Sequence, residues 1–244
     1  MIRRARLIWG LVVAIPAVLL SVANAGAATN LGETFNPPSF CAPGTTYITT
    51  DSPGDTYLIP FSGVITAWSF QTDSLGPPVA RLKIGRADAD TVLSDTETSL
   101  AIVGESGSEN LAPNSLNRFA TRVAVHEGDF LGIYVAGDTL VHCSDSTSLG
   151  FQDHFNPTDV PAGTSDVFER ENEGQVEVAA VLERDADNDG FGDETQDQCA
   201  SNGGTQGPCA VPPTTKKKCK KHKKKHRSAE SAKKRKCGKK KRRR

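Results

Sequence analysis

The chain has 244 residues, 37% of them hydrophobic and 24% charged, and its formal net charge is zero. That zero is a sum of unlike regions: residues 1–25 carry +3, residues 26–215 carry seven basic against 28 acidic side chains, and residues 216–244 carry 19 basic against one acidic. This excludes reading the chain as evenly neutral; it is an acidic body joined to a strongly basic tail.

The N-terminus has the three parts of a secretory signal. Arg3, Arg4 and Arg6 form a positive region, Leu7 to Val22 an apolar run, and Ala23-Asn24-Ala25 a small-residue cleavage site. The apolar run holds 16 residues and includes Pro16, short of the ~20 that a transmembrane helix needs. Arg3-Arg4 lacks a fuller twin-arginine context, and no Cys follows the run closely. The expectation is ordinary export, no transmembrane segment in the mature chain, and an extracellular or cell-wall location.

Six cysteines (Cys41, Cys143, Cys199, Cys209, Cys219, Cys237) in an exported chain point to disulfides rather than catalytic thiols. Fifteen connectivities are possible for six cysteines. Segment composition favours Cys199–Cys209 and Cys219–Cys237, which leaves Cys41–Cys143 to staple the body. Zinc ranks below disulfides, because no CxxC occurs and His222 and His226 lie among lysines.

After residues 1–25, a body over 26–183 offers enough chain for a single core. Short β-favouring runs recur in it: "TTYITT" (45–50), "TYLIP" (56–60), "GVITAWSFQT" (63–72), "VARLKIG" (79–85), "LAIVG" (100–104), "RFATRVAV" (118–125), "DFLGIYVAG" (129–137), "TLVHC" (139–143) and "QVEVAAVLE" (175–183). Turn-forming residues fill the gaps between them. Ala80, Leu82 and Ile84 share a face opposite Arg81 and Lys83; Val176, Val178, Ala180 and Leu182 oppose Glu177 and Glu183. "HEGD" (126–129) reads as a hairpin loop. Trp68 shares a face with Val64, Thr66 and Phe70 and reads as core. The spacing predicts an all-β, antiparallel β-sandwich, jelly-roll-like.

Residues 184–212 read as an acidic loop and linker. Within "DADNDGFGDETQDQC", Asp185, Asp187 and Asp189 stand at positions 1, 3 and 5, Gly190 at 6, Phe191 with a backbone carbonyl at 7, and Asp193 at 9. This is the oxygen pattern of an EF-hand-like Ca²⁺ loop, in which clustered carboxylates repel unless a cation sits among them. Position 12, where an EF-hand places a bidentate Glu, is Gln196; the nearest carboxylate is Asp197, one residue later. The expected ligands are therefore Asp185, Asp187, Asp189, Asp193 and Asp197 with the carbonyl of Phe191, at the weak extracellular end of affinity, ~10⁻⁴–10⁻³ M. With Cys199 trailing it, the stretch resembles a thrombospondin type 3 repeat over about fifteen residues. The whole layout resembles secreted bacterial proteins with a β-rich body, such a loop and a Cys/Lys-rich tail, a resemblance that implies no activity.

No catalytic motif is complete. "GESGS" (104–108) brings its second Gly one residue early for a nucleophile elbow. "FQDHFNPTD" (151–159) gathers Asp153, His154 and Asp159 as one candidate acid–base or metal cluster.

The tail, 213–244, concentrates Lys216, Lys217, Lys218, Lys220, Lys221, Lys223, Lys224, Lys225 and Arg227 before "SAESA", and Lys233, Lys234, Arg235 and Lys236 after it. A Cys219–Cys237 bond would fold it into a hairpin at 228–232, since disulfide Cα atoms lie within about 7 Å; otherwise it reads as disordered. Such a segment attracts anionic cell-wall or extracellular polymer by charge. It has no aromatic residue on which bases could stack, so nucleic acid would be held only non-specifically. The expected function is a secreted, calcium-binding, non-catalytic surface or adhesion-type protein, with a possible carbohydrate ligand of the β-sandwich. The alternative is a secreted hydrolase acting on an extracellular polymer.

Overall fold

Alternating apolar side chains and pairing partners far along the sequence organise fourteen strands among the described residues. The computed structural model describes residues 27–210 apart from Asp95. The strands are β1 (Thr29–Glu33), β2 (Ser39–Cys41), β3 (Thr45–Asp51), β4 (Gly63–Gln71), β5 (Val79–Ala87), β6 (Glu97–Glu105) and β7 (Glu109–Asn110). They continue as β8 (Leu116–Val125), β9 (Phe130–Ala136), β10 (Val141–Asp145), β11 (Gln152–Asn156), β12 (Thr164–Asn172), β13 (Gln175–Val176) and β14 (Val178–Glu183). A 3₁₀ turn, Pro53–Asp55, is the one helical element among the described residues.

The fold is all-β and every pairing is antiparallel. One sheet has the order β1-β14-β4-β8 and a small one β13-β10-β2. The remaining strands pair as β6-β12-β11-β3-β9-β5, and β5 also pairs with β6, so six strands close into a barrel with β7 attached to β5. Closure removes the exposed edges that an open sheet would leave. At the level of class this meets the sequence expectation; a ring of six is a feature that two open sheets do not have.

A ring has an inside as well as an outside, and this changes what alternation means. The face of β5 that carries Ala80, Leu82 and Ile84 joins the main core with Trp68, Phe70, Leu131, Ile133 and Leu182. The opposite face, which carries Lys83, is enclosed as well: Lys83 is 0% exposed. Its ammonium donates to Asp159 Oδ1 (2.8 Å), to the Val160 carbonyl (2.9 Å) and to Glu105. A second apolar cluster, Ile48, Leu100, Ile102, Phe130, Val160 and Phe168, lies on that inner side. The ring is narrow. A Cβ on Gly132 would stand 2.2 Å from the Tyr47 carbonyl and 2.4 Å from Ile48 Cδ1, so only glycine lets β3 and β9 close around Ile48.

Several local expectations change. "TYLIP" buries Tyr57 and Ile59 but forms only the isolated bridge Leu58↔Phe130. "HEGD" is a turn, with Asp129 N donating to the His126 carbonyl, but it is not a hairpin loop. It carries the chain from β8 in one sheet to β9 in the barrel, and Asp129 is buried there in a two-point ion pair with Arg86. Glu177 and Glu183, placed opposite the apolar face of their run, are both 0% exposed. "QVEVAAVLE" breaks after Val176: β13 pairs with β10 and β14 with β1 and β4, and Glu177 turns inward at the break. Glu183 keeps to the Ala179 and Val181 face of β14 and is buried because the 192–195 segment folds onto it, the Glu194 and Thr195 N–H groups reaching its carboxylate.

Cys41 and Cys143 form the expected disulfide, joining β2 to its neighbour β10. The compact unit runs on without interruption to Cys209, so residues 184–209 pack as part of the body.

Candidate metal centre

The acidic stretch starts from a fixed point. Glu183, at the end of β14, receives hydrogen bonds from Thr66 Oγ1 (2.9 Å), Thr195 Oγ1 (2.7 Å), and the backbone N–H groups of Glu194 (3.0 Å) and Thr195 (2.9 Å). Burial alone would raise its carboxyl; these donors outweigh it and hold the group below the usual carboxylate range. The far side of the loop is tied down as well. Gln196 Nε2 donates to the Thr121 carbonyl on β8 (2.8 Å), and the Arg122 guanidinium lies 4.2 Å over the Phe191 ring.

Between these anchors the chain winds around its own carboxylates. Asp185 accepts from the N–H groups of Asp189 (3.0 Å) and Gly190 (2.9 Å), Asp189 from Phe191 N (2.9 Å), and Asp193 from Ala186 N (3.2 Å). Asn188 and Gly190 take left-handed backbone angles, φ 57° and 84°, which supply the tight reversal. The result brings Asp185, Asp187 and Asp189 together: one carboxylate oxygen from each lies within 4.8 Å of the others. This triple-Asp cluster could hold a metal ion.

Two further observations belong to the same place. Both carboxylate oxygens of Asp187 are buried and have no hydrogen-bond partner. Asp197 is 4% exposed; its Oδ1 accepts from Cys199 N (2.8 Å), while its Oδ2 is buried and unpartnered. Unmatched buried carboxylate oxygens are costly, and a cation is the partner that satisfies several at once. Asp193 feels the crowding: burial first, then the charges of Asp185, Asp187 and Asp197, push its carboxyl up. Gln196, at the position of an EF-hand's final ligand, faces the body, and its Oε1 accepts from Gly192 N at 3.4 Å. Phe191 is held by its N–H and its ring.

Other predicted residues separate. Asp153 and His154 are neighbours on β11 and therefore point to opposite sides of it. Asp153 accepts from Thr49 Oγ1 (2.6 Å), His154 shares a hydrogen bond with Thr50 Oγ1 (2.9 Å) on the side of Ile48, and Asp159 pairs with Lys83 and Arg81. They do not form one site. Ser106 of "GESGS" is 7% exposed, and its hydroxyl donates to the Gly107 carbonyl and accepts from Leu82 N. Cys199–Cys209 is formed as expected. Cys219, Cys237 and the basic residues from Lys216 to Lys236 lie outside the described residues.

Sequence reasoning missed Glu183 as the anchor, since burial of a strand-end glutamate is visible only when the segment that folds back onto it is known. It also missed Gly203 and Gln206, which reach the aspartates from the Cys199–Cys209 span. Comparison with protein-family models, with curated proteins and with solved structures returns no match for this chain.

Proposed function

We propose that this is a secreted, calcium-binding, non-catalytic surface or adhesion-type protein whose basic tail binds anionic polymers. The observation that carries the reading is Asp187, with both oxygens buried and unpartnered amid Asp185 and Asp189. The donors are hard oxygens with no His or Cys among them, which suits Ca²⁺ with its six to eight oxygen ligands rather than zinc. Asp193, Asp197 and the Phe191 carbonyl complete the proposed set. The four-stranded sheet and the barrel would serve as the two layers of a sandwich-like body, available to a carbohydrate ligand. The loop is docked on that body through Glu183 and Thr121.

The test is binding of Ca²⁺ to the purified full chain, by calorimetry and by luminescence of Tb³⁺ as its substitute. Asp187→Ala is expected to weaken binding at least tenfold, the scale on which loss of a supporting ligand acts. Equal affinity in parent and variant would overturn the site. For the tail, retention on heparin and on teichoic acid is expected to fall steeply with salt and to be lost in a chain ending at Pro213. If truncation leaves retention unchanged, the tail is no anchor.

A further inference from the structure

The span between Cys199 and Cys209 contributes nothing to the DxDxDG pattern, yet it closes against it. A Cβ on Gly203 would stand 3.1 Å from Asp189 Cβ and 3.7 Å from Asp187 Cγ, so this backbone lies directly against the aspartates. Gln206 Nε2 donates to Asp189 Oδ2 (3.0 Å), and Gln206 is itself held through its carbonyl by Gln198 N (3.0 Å). At the root of the span, Cys199 N orients Asp197, whose free oxygen is buried. One covalent bond closes the loop: Cys199–Cys209, with Cα atoms 4.8 Å apart. Its two ends differ in access. Cys199 is 3% exposed and Cys209 is exposed, whereas Cys41 and Cys143 are 1% and 0% exposed.

We propose that Cys199–Cys209 is a redox-sensitive clamp on the cation site: reduction releases the 200–209 loop from Asp187 and Asp189 and weakens cation binding, and a bound cation protects the disulfide. The proposal rests on the reading of the aspartate loop as a Ca²⁺ site. The chemistry is thiol–disulfide exchange. A thiolate of a dithiol reductant attacks the sulfur of exposed Cys209, and Cys199 leaves as thiolate and takes a proton. The reductant's second thiol then resolves the mixed disulfide, freeing Cys209 and closing the reductant into its own disulfide. Two electrons and two protons pass to the protein. Because linkage is reciprocal, the factor by which reduction weakens the cation equals the factor by which the cation disfavours reduction.

The experiment compares Tb³⁺ and Ca²⁺ affinity of the full chain with that of Cys199→Ser/Cys209→Ser, near-ultraviolet circular dichroism reporting that the body remains folded. In parallel, the parent is equilibrated with graded dithiothreitol with and without saturating Ca²⁺, and mass spectrometry of alkylated peptides reads Cys199 and Cys209 separately from the other cysteines. About tenfold weaker binding in the double variant is expected, with a matching tenfold protection of the disulfide by Ca²⁺. Gly203→Ala, with the disulfide intact, should weaken binding as well. Measurable binding that is equal in parent and variant, with no protection by Ca²⁺, overturns the clamp and leaves the calcium site standing. No binding in either overturns both.

Discussion

Replacing Glu177 with Gln is expected to stabilise the protein at pH 8 and to leave its stability unchanged near pH 4. Glu177 is 0% exposed; burial pushes its carboxyl up to about 9, against hydrogen bonds from the Gln71 and Phe35 backbones that only partly offset it. Its Oε2 has no partner. In the unfolded chain the same group ionises near pH 4.5. Between about 4.5 and 9 the unfolded state has therefore lost a proton that the folded state keeps, and stability falls as pH rises, by about 1.4 kcal/mol per pH unit at most. Gln carries no such proton, so its advantage grows across that window.

His154 works in the opposite direction. Burial first, and then the charge of Arg170, push it down to about 4, so its contribution is complete above pH 6.5 and is lost as pH falls toward 4. It offsets part of the Glu177 slope at acid pH, which leaves the decline steepest above 6.5. Asp153, raised well above the usual carboxylate range chiefly by burial, adds to that decline. Urea unfolding of parent and Glu177→Gln at pH 4, 6.5 and 8 measures this. A difference between the two proteins that is the same at every pH would show that Glu177 titrates normally, contrary to the argument.

Removing the Cys41–Cys143 disulfide by paired Ala substitution is expected to cost more than removing Cys199–Cys209. The first closes a separation of 102 residues and the second one of 10. Chain entropy assigns roughly 4.7 kcal/mol to a loop of about 100 residues and about 3 kcal/mol to one of 10–15, figures that native strain reduces. The site adds a packing term, because Cys41 and Cys143 sit within the main core and Ala would leave unfilled volume beside Val141 and Val176. Denaturant unfolding under non-reducing conditions is the measurement. A Cys41→Ala/Cys143→Ala chain with an unchanged midpoint and slope would refute the role of this bond as the body's staple.

Much of this molecule is written locally. The runs of β4, β5, β8 and β9 were legible because each alternates or concentrates apolar residues over seven to ten positions. The aspartate loop was legible for a different reason: its geometry is made by the segment itself, with Asp185 and Asp189 capping their own following N–H groups and Gly190 turning the chain. Both described disulfides followed from composition and separation. β11 and β12 were not legible. "FQDHFN" reads as a cluster of polar candidates rather than an apolar run, and among the described side chains of β12 only Phe168 is buried, so these strands exist through their partners β3 and β6 rather than through their own pattern.

The sequence by itself thus determined the class of the body, the identity of the clustered aspartates and the two cysteine pairs, because each depends on neighbours a few residues away or on how far apart two cysteines lie. Only the tertiary structure decided which polar groups are enclosed. Lys83 faces inward because β5 closes a ring, Glu177 turns inward at a strand break, Glu183 is covered by the segment that folds back onto it, and His154 parts from Asp153 because adjacent strand residues face opposite ways. Burial shifts Glu177 and His154 toward their neutral forms, and burial is a property of what the remote chain packs on top of them.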